Sequence, residues 1–409
     1  MIEKFRVQNY KALRDVTLDL TPFHVLIGPN DSGKTSIMEA LMAMCRSVDY
    51  PLAEAFVGDW KGSELMWGGP ADPGAPGGVR LEVQVREPTL SFSYVWECAF
   101  SLAGRDAFLM REECEGIWTG GSWHVELFDG REKGVDQKTT RVYGLRYHGN
   151  RSEPPETTAV ANTVSLSLTP RQYWRWDPRF LALPAAQRLD DLFRIHPTGF
   201  GLVQCLDGIL GESRDRFNAI EARLREIFPE VESLQLKAKA GYDAPPVEGR
   251  RVPVLEPRPA KGIEFKLRHL TEPVPASQAS DGMLIVLACL TILNLPRPPR
   301  LILIEEPENG IHPKRLAEVL KVLRELVARQ DRPQPQILMT THSPYVLDEF
   351  KPEEVTLCHK GKDGAVRVSR LLESEAVKKQ LDVFSLGEIW TGEGDDSLAR
   401  SHESGDRKP

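Results

Sequence analysis

"VLIGPNDSGKTSI", Val25 to Ile37, decides how this 409-residue chain folds. An apolar run ends at Gly28, a turn bearing two glycines and a lysine follows, and Ile37, Leu41 and Met44 then recur at helical spacing. Gly28 to Thr35 fits the pattern GxxxxGK[ST], and it sits between a strand and a helix, as the chemistry of that pattern requires. Glycine lets such a turn wrap so that successive N–H groups point inward at phosphate oxygens. The helix N-terminus adds partial positive charge. The candidate phosphate-binding residues are therefore Gly28, Pro29, Asn30, Asp31, Ser32, Gly33, Lys34, Thr35 and Ser36. Lys34 is suited to the β- and γ-phosphates of a nucleotide, and Thr35 to a hydroxyl contact with Mg²⁺.

A phosphate cradle needs an acidic strand end to hold the metal and activate water. "LILIEEPENGIHP", Leu301 to Pro313, supplies one: four aliphatic residues run into two adjacent carboxylates. Glu305 is assigned to the outer sphere of Mg²⁺ and Glu306 to the base that polarises water. Solvation of two acids at a strand terminus is the plainer alternative. Glutamate at 305 stands where aspartate is usual, which fits a slow or nucleotide-gated enzyme.

Two further segments carry chemistry only in combination. "ILMTTHSPYVLDEF" puts His342 at the end of an apolar strand, within expected reach of a γ-phosphate. "SDGMLIVLACLTIL" places Ser280 and Gly282 at the start of an apolar helix, where serine is also an ordinary cap.

Taken in order with "FRVQNYKALRDVTLDL", these pieces resemble the SMC/RecF/OLD branch of ABC-type ATPases, in particular the OLD-like and RecF-like AAA-family ATPases of bacteria. The resemblance spans residues 1–45 and 265–390. It implies that Ser280 and Gly282 form a signature contacting the γ-phosphate held by a second subunit. His342 would be the switch histidine, and Glu308 and Asn309 part of a loop crossing the dimer interface. It implies head-to-head homodimerisation around two ATP molecules, with Mg²⁺, and hydrolysis that separates the heads. The signature's usual leucine is Ala279, and no glutamine loop is evident; Gln84 lies mid-strand.

The expected fold is α/β: an ABC-type P-loop NTPase head with a mostly parallel sheet flanked by helices. An antiparallel β lobe and a short helical insertion are added to it. The expected segments are 1–45, the first part of the head, and 46–183, a β-rich lobe with a Gly/Pro-rich loop at Gly68 to Val79 and a turn at Asp129-Gly130. A helical insertion and Pro-rich linker follow over 184–264, then the second part of the head over 265–390, and a disordered tail over 391–409. "RVYGLRY" reads as a strand, and residues 184–228 as helical up to Pro229.

A net charge of −7 excludes a protein that is basic overall, so any nucleic-acid contact must be a local patch. The best local candidate is "RQYWRWDPR", Arg171 to Arg179, with inward-packed tryptophans as the alternative. Six scattered cysteines lack metal spacing and read as buried thiols of a cytoplasmic protein. No apolar run suits a membrane span. By the resemblance, DNA is the expected object of action, alone or with a separate TOPRIM-like nuclease partner. Relatives carry that domain after the ATPase, whereas about 60 polar-rich residues follow "THSPYVLDEF" here. A nucleotide-sensing scaffold that dimerises with little turnover is the alternative function. A transporter motor or a small-molecule kinase leaves the "PENGIHP" and "THSP" segments unexplained.

Overall fold

The computed structural model describes residues 1–68, 78–118, 121–128, 137–147, 154–169, 171–186, 192–242, 258–309, 311–329, 334–395 and 397–398. Gly69 to Gly77, Asp129-Gly130 and residues 399–409 lie outside them. Contacts divide the chain into two units, residues 1–171 with 335–409, and residues 172–334. These units cut across the composition-based segments.

The strands in chain order begin with β1 (Ile2–Tyr10), β2 (Leu13–Asp19), β3 (Phe23–Ile27) and β4 (Val79–Glu87). Then come β5 (Leu90–Phe100), β6 (Ala107–Trp118), β7 (Gly121–Phe128) and β8 (Arg171–Trp174). The second unit adds β9 (Val231–Gly241), β10 (Arg258–Leu267), β11 (Val274–Pro275) and β12 (Leu301–Glu305). The last are β13 (Gln336–Thr340), β14 (Val355–Lys360) and β15 (Val366–Arg370). The helices used below are α1 (Lys34–Arg46), α2 (Arg141–Tyr147), α3 (Pro155–Leu168), α4 (Pro178–Leu181) and α5 (Leu202–Glu212). With them go α6 (Arg214–Ile227), α7 (Asp281–Leu293), α8 (Pro313–Ala328) and α9 (Leu386–Glu393).

The first unit holds two sheets. One is antiparallel, in the order β2-β1-β4-β5-β6-β7. Its pattern is legible in β4, where Val79, Leu81, Val83 and Val85 are buried and the alternate residues are more open, the signature of a sheet with one face on a core. Register is set through pairs such as Val83 with Phe5 on β1 and with Tyr94 on β5. In the other sheet β3 lies between β14 and β13 and runs parallel to both, while β15 closes antiparallel on β14. All five residues of β3 are buried, as expected of a strand covered on both faces. Even its His24 is internal: Nε2 meets Thr356 Oγ1 at 2.9 Å, and burial pushes the imidazole down to about 3, so it is a neutral core group.

In the second unit β9, β10 and β11 form an antiparallel sheet, and β12 lies beside β8. Helix α7 is buried from Met283 through Ile292 on every side, which marks a core helix. Truncating a residue such as Leu287 to alanine there costs about 2–5 kcal/mol. All six cysteines are buried free thiols. Among the described residues no helix is long and apolar enough to cross a membrane.

Four expectations are corrected. "RVYGLRY" is helix α2, because Thr140 caps it (Tyr143 N to Thr140 Oγ1, 3.1 Å) and the buried Glu112 carboxylate accepts from Arg141 N and Val142 N. The helical stretch begins at Leu202, with a turn at Thr198–Gly201 before it, and α3 is a further helix that the composition did not announce. Arg258 to Gly262 of the Pro-rich linker are strand, paired in register with Gly241 to Lys237. The tail does not start at 391: α9 runs to Glu393, and Leu398 is buried.

Candidate active site

The first unit presents the glycine-rich turn expected to cradle phosphate. Gly28 ends β3 with φ +135°, Asp31 adopts φ +65° and Gly33 φ +88°, so the chain turns back on itself before α1 begins. A Cβ on Gly28 would lie 2.1 Å from the Cys358 carbonyl oxygen on β14; glycine is required there by both torsion and space. The Lys34 ammonium is almost fully buried inside the turn. It donates to Gly28 O at 2.9 Å, Pro29 O at 2.8 Å and Ser32 Oγ at 3.2 Å. Ser32 is buried, Ser36 half-buried, and Pro29, Asn30, Asp31 and Thr35 are exposed. Asp31 is tied to Lys360 at the end of β14. Helix α1 has no side-chain cap and no acid in its first turn, so its leading N–H groups keep their positive field for an anion.

His342 belongs to the same unit. Thr340 of β13 lies in register with Leu26 of β3, and Thr341 N extends the pairing to Leu26 O at 3.1 Å. Gly28 and His342 thus leave adjacent parallel strands at their carboxyl ends, where open α/β sheets bind ligands.

The second unit presents the acids. Glu305 is the last residue of the wholly buried β12, and its side chain is only 7% exposed. Its Oε1 is buried with no hydrogen-bond partner among the described residues, while Oε2 lies 3.7 Å from Arg175 Nε. A buried acceptor in that condition suits a cation's hydration shell. Glu306 leaves the strand at φ +42°, an uncommon torsion for a glutamate and one that recurs at functional sites. Asn309 holds it twice, through its backbone N–H to Glu306 O (3.1 Å) and Nδ2 to Glu306 Oε2 (2.9 Å). Ser280 caps α7, its Oγ accepting from Met283 N at 3.3 Å, and is itself exposed. Gly282 follows, and a Cβ there would meet nothing closer than Ile311 Cγ2 at 3.9 Å. Nothing within the described residues demands glycine at 282.

The site residues the sequence missed come from "RQYWRWDPR", where the inward-packing reading holds. Trp174 is fully buried and stacks on Trp176, with centroids 4.8 Å apart. Arg171 pairs with Asp49 at 2.6 Å, Arg179 with Asp177 at 2.6 Å, and Arg175 with Glu305. Arg171 is buried, whereas the side chains of Arg175 and Arg179 remain about four-fifths exposed. The useful signal was a short aromatic strand stopped by Asp177-Pro178, which ends beside Glu305. The residue beside Glu305 is an arginine and not a glutamine.

The residues fit a magnesium–nucleotide in kind: a glycine-wrapped turn, a buried lysine, a threonine hydroxyl and a carboxylate oxygen without a partner.

Two family models match the chain: "AAA domain, putative AbiEii toxin, Type IV TA system" over residues 121–348 and "AAA ATPase domain" over residues 1–64. A curated protein of Thermus scotoductus, "OLD nuclease", is 22% identical over 398 residues, covering 95% of this chain and 68% of that protein. Among solved structures, an SMC head bound to the C-winged helix domain of ScpA aligns at 14% identity and TM-score 0.47, covering 90% of this chain and 96% of that one. The SMC head domain from Thermotoga maritima aligns at 10% identity and TM-score 0.42, covering 90% and 98%.

Proposed function

This chain belongs to the AAA-domain family and is a P-loop ATPase of the ABC type, and on that premise we propose that it closes head-to-head around ATP and acts on DNA or beside a DNA-processing nuclease. The observation that carries the nucleotide reading is Lys34, a buried cation held on the carbonyls of its own glycine turn and so poised to exchange them for phosphate oxygens. The proposed roles follow the chemistry of each group. Lys34 offsets charge on the β- and γ-phosphates, and the backbone N–H groups of Asn30 to Ser36 orient them. Glu306 accepts the proton of the attacking water, with Asn309 fixing its torsion and one carboxylate oxygen. His342 steadies the γ-phosphate. Thr35 and Glu305 would hold Mg²⁺, directly and through water respectively; when bound, the ion neutralises charge that develops on the phosphates.

Dimerisation is supported by Ser280 and Gly282: an exposed serine and a glycine with room for a methyl group suit a surface that another subunit's phosphate must approach. The nuclease name of the Thermus scotoductus relative supports DNA as the object, and a role in repair or phage defence is proposed on the same ground. The reading is tested with Lys34→Ala: ATP affinity should fall at least tenfold with the fold retained, and unchanged binding would end the proposal.

A second reading, a nucleotide sensor with little turnover, is favoured by one observation. Arg175 already stands 3.7 Å from Glu305, a glutamate where aspartate is usual. Phosphate release separates the two: a sensor dimerises in light scattering without appreciable release, whereas the ATPase turns over and responds to added DNA.

A further inference from the structure

Trp176 and Glu305 line the same recess in the second unit, and each carries one buried polar atom. The recess sits at the carboxyl end of β12, is walled by Trp176, Glu305, Glu306 and Asn309 with Ile285 and Ile304, and measures about 10 Å³. That is room for one water, which needs two to four polar partners to stay. The indole N–H can only donate and a carboxylate oxygen can only accept, so the two are complementary. Neither Trp176 Nε1 nor Glu305 Oε1 has a hydrogen-bond partner among the described residues. Leaving both unmet is costly in a folded protein.

Neither group is free to look elsewhere. The Trp176 ring stacks on Trp174 with planes 29° apart, and Trp174 is anchored by its own Nε1 on Gln172 Oε1 at 2.8 Å. The backbone on either side is pinned, Arg175 N to Pro197 O at 2.8 Å and Asp177 N to Thr198 O at 2.9 Å. Glu305 ends a buried strand, with its other oxygen turned to Arg175.

We propose that Trp176 is a positioning residue of the metal half-site: its indole N–H and Glu305 Oε1 grip one water between them and so fix how Glu305 presents itself to Mg²⁺. The inference rests on the ATPase reading above and names a residue that reading did not use. The hydrogen bonds balance. The water accepts from the indole and donates to Oε1, which leaves one lone pair for a cation and one hydrogen for a neighbouring acceptor. Losing an outer-shell partner of this type typically lowers metal affinity 10- to 100-fold.

The test measures Mn²⁺ binding by electron paramagnetic resonance, with the full chain and a nonhydrolysable ATP analogue. Trp176→Phe keeps an aromatic ring and removes the N–H. Its Mn²⁺ Kd should rise about tenfold, with metal-free affinity for the analogue within twofold of wild type. Glu305→Gln should weaken Mn²⁺ similarly, and the double variant should be little worse than Glu305→Gln alone, because both changes remove one water. Replacing Trp176 with 3-benzothienylalanine, which alters only the N–H, must reproduce the effect even if the phenylalanine variant folds poorly. Normal Mn²⁺ affinity in that variant, alongside weakened Glu305→Gln, overturns the proposal and leaves the ATPase reading standing. Failure of the wild type to take up the analogue at all instead overturns the ATPase reading, and this one with it.

Discussion

Two glycines of the candidate site should answer to alanine in opposite ways. At Gly28 the backbone torsion is φ +135°, a region essentially confined to glycine, and forcing alanine into it costs about 1–3 kcal/mol. The added Cβ would also lie 2.1 Å from Cys358 O and 3.1 Å from Ser32 Oγ, so β14 or the turn must shift, at a further cost of about 1–3 kcal/mol. Gly28→Ala should therefore destabilise the protein by about 4 kcal/mol, a drop in Tm of roughly 10 °C for a unit of this size. At Gly282 the nearest atoms to a Cβ are 3.9 and 4.0 Å away, and the residue lies in the first turn of α7. Alanine there should stabilise by up to about 1 kcal/mol from helix propensity alone. If Gly282 serves a nucleotide held by a second subunit, that more stable variant should nonetheless lose turnover tenfold or more. Thermal and urea unfolding give the first pair of numbers, and phosphate release gives the last. A Gly28→Ala protein within 1 kcal/mol of wild type would show that the turn is not pinned on β14. Wild-type turnover in Gly282→Ala would refute the dimer role.

Glu306→Gln should retain ATP binding while phosphate release falls about 10²- to 10⁴-fold, with dimer accumulating in light scattering; wild-type release would remove Glu306 as the base. Asp49→Ala should cost about 3–5 kcal/mol in urea unfolding, because it strips Arg171, whose side chain is 7% exposed, and Arg146 of their shared partner; a loss under 1 kcal/mol would contradict the pairing. Burial pushes the Glu112 carboxyl up to about 7 from its ordinary 4.5, against hydrogen bonds from Arg141 N, Tyr94 Oη and Val142 N that favour the charged form. The folded-state value is the higher one, so this group's contribution to stability is fully present below pH 4.5 and lost as pH rises through 7. Across that window wild type should lose about 3 kcal/mol relative to Glu112→Gln, and parallel stability curves for the two proteins would refute the assignment.

Features carried by a contiguous run were legible in the sequence. The strand, turn and helix around Gly28 to Thr35, the buried strands β3, β12 and β13, and the all-round apolar α7 each read correctly because burial writes its pattern locally. What failed depended on distant residues. Aromatic and β-branched residues made "RVYGLRY" resemble a strand, yet Glu112, far away on β6, receives its first N–H groups and makes a helix of it. That β1 and β2 join β4 to β7 in one antiparallel sheet is a long-range pairing with no local signal beyond alternation. The same holds for the candidate site: the adjacent acids at 305 and 306 stood out at a strand end, but nothing local told that Trp176 shares their recess or that Arg175 stands beside Glu305. The left-handed torsion at Glu306 was likewise invisible, since glutamate gives no hint of it.

The most direct measurement is a crystal structure of the full chain with Mg²⁺ and a nonhydrolysable ATP analogue. The account predicts the triphosphate in the turn from Gly28 to Thr35, with Lys34 released from the carbonyls of Gly28 and Pro29 and bonded to phosphate oxygens. A triphosphate bound elsewhere, or a Lys34 still seated on those two carbonyls with the analogue present, would contradict it.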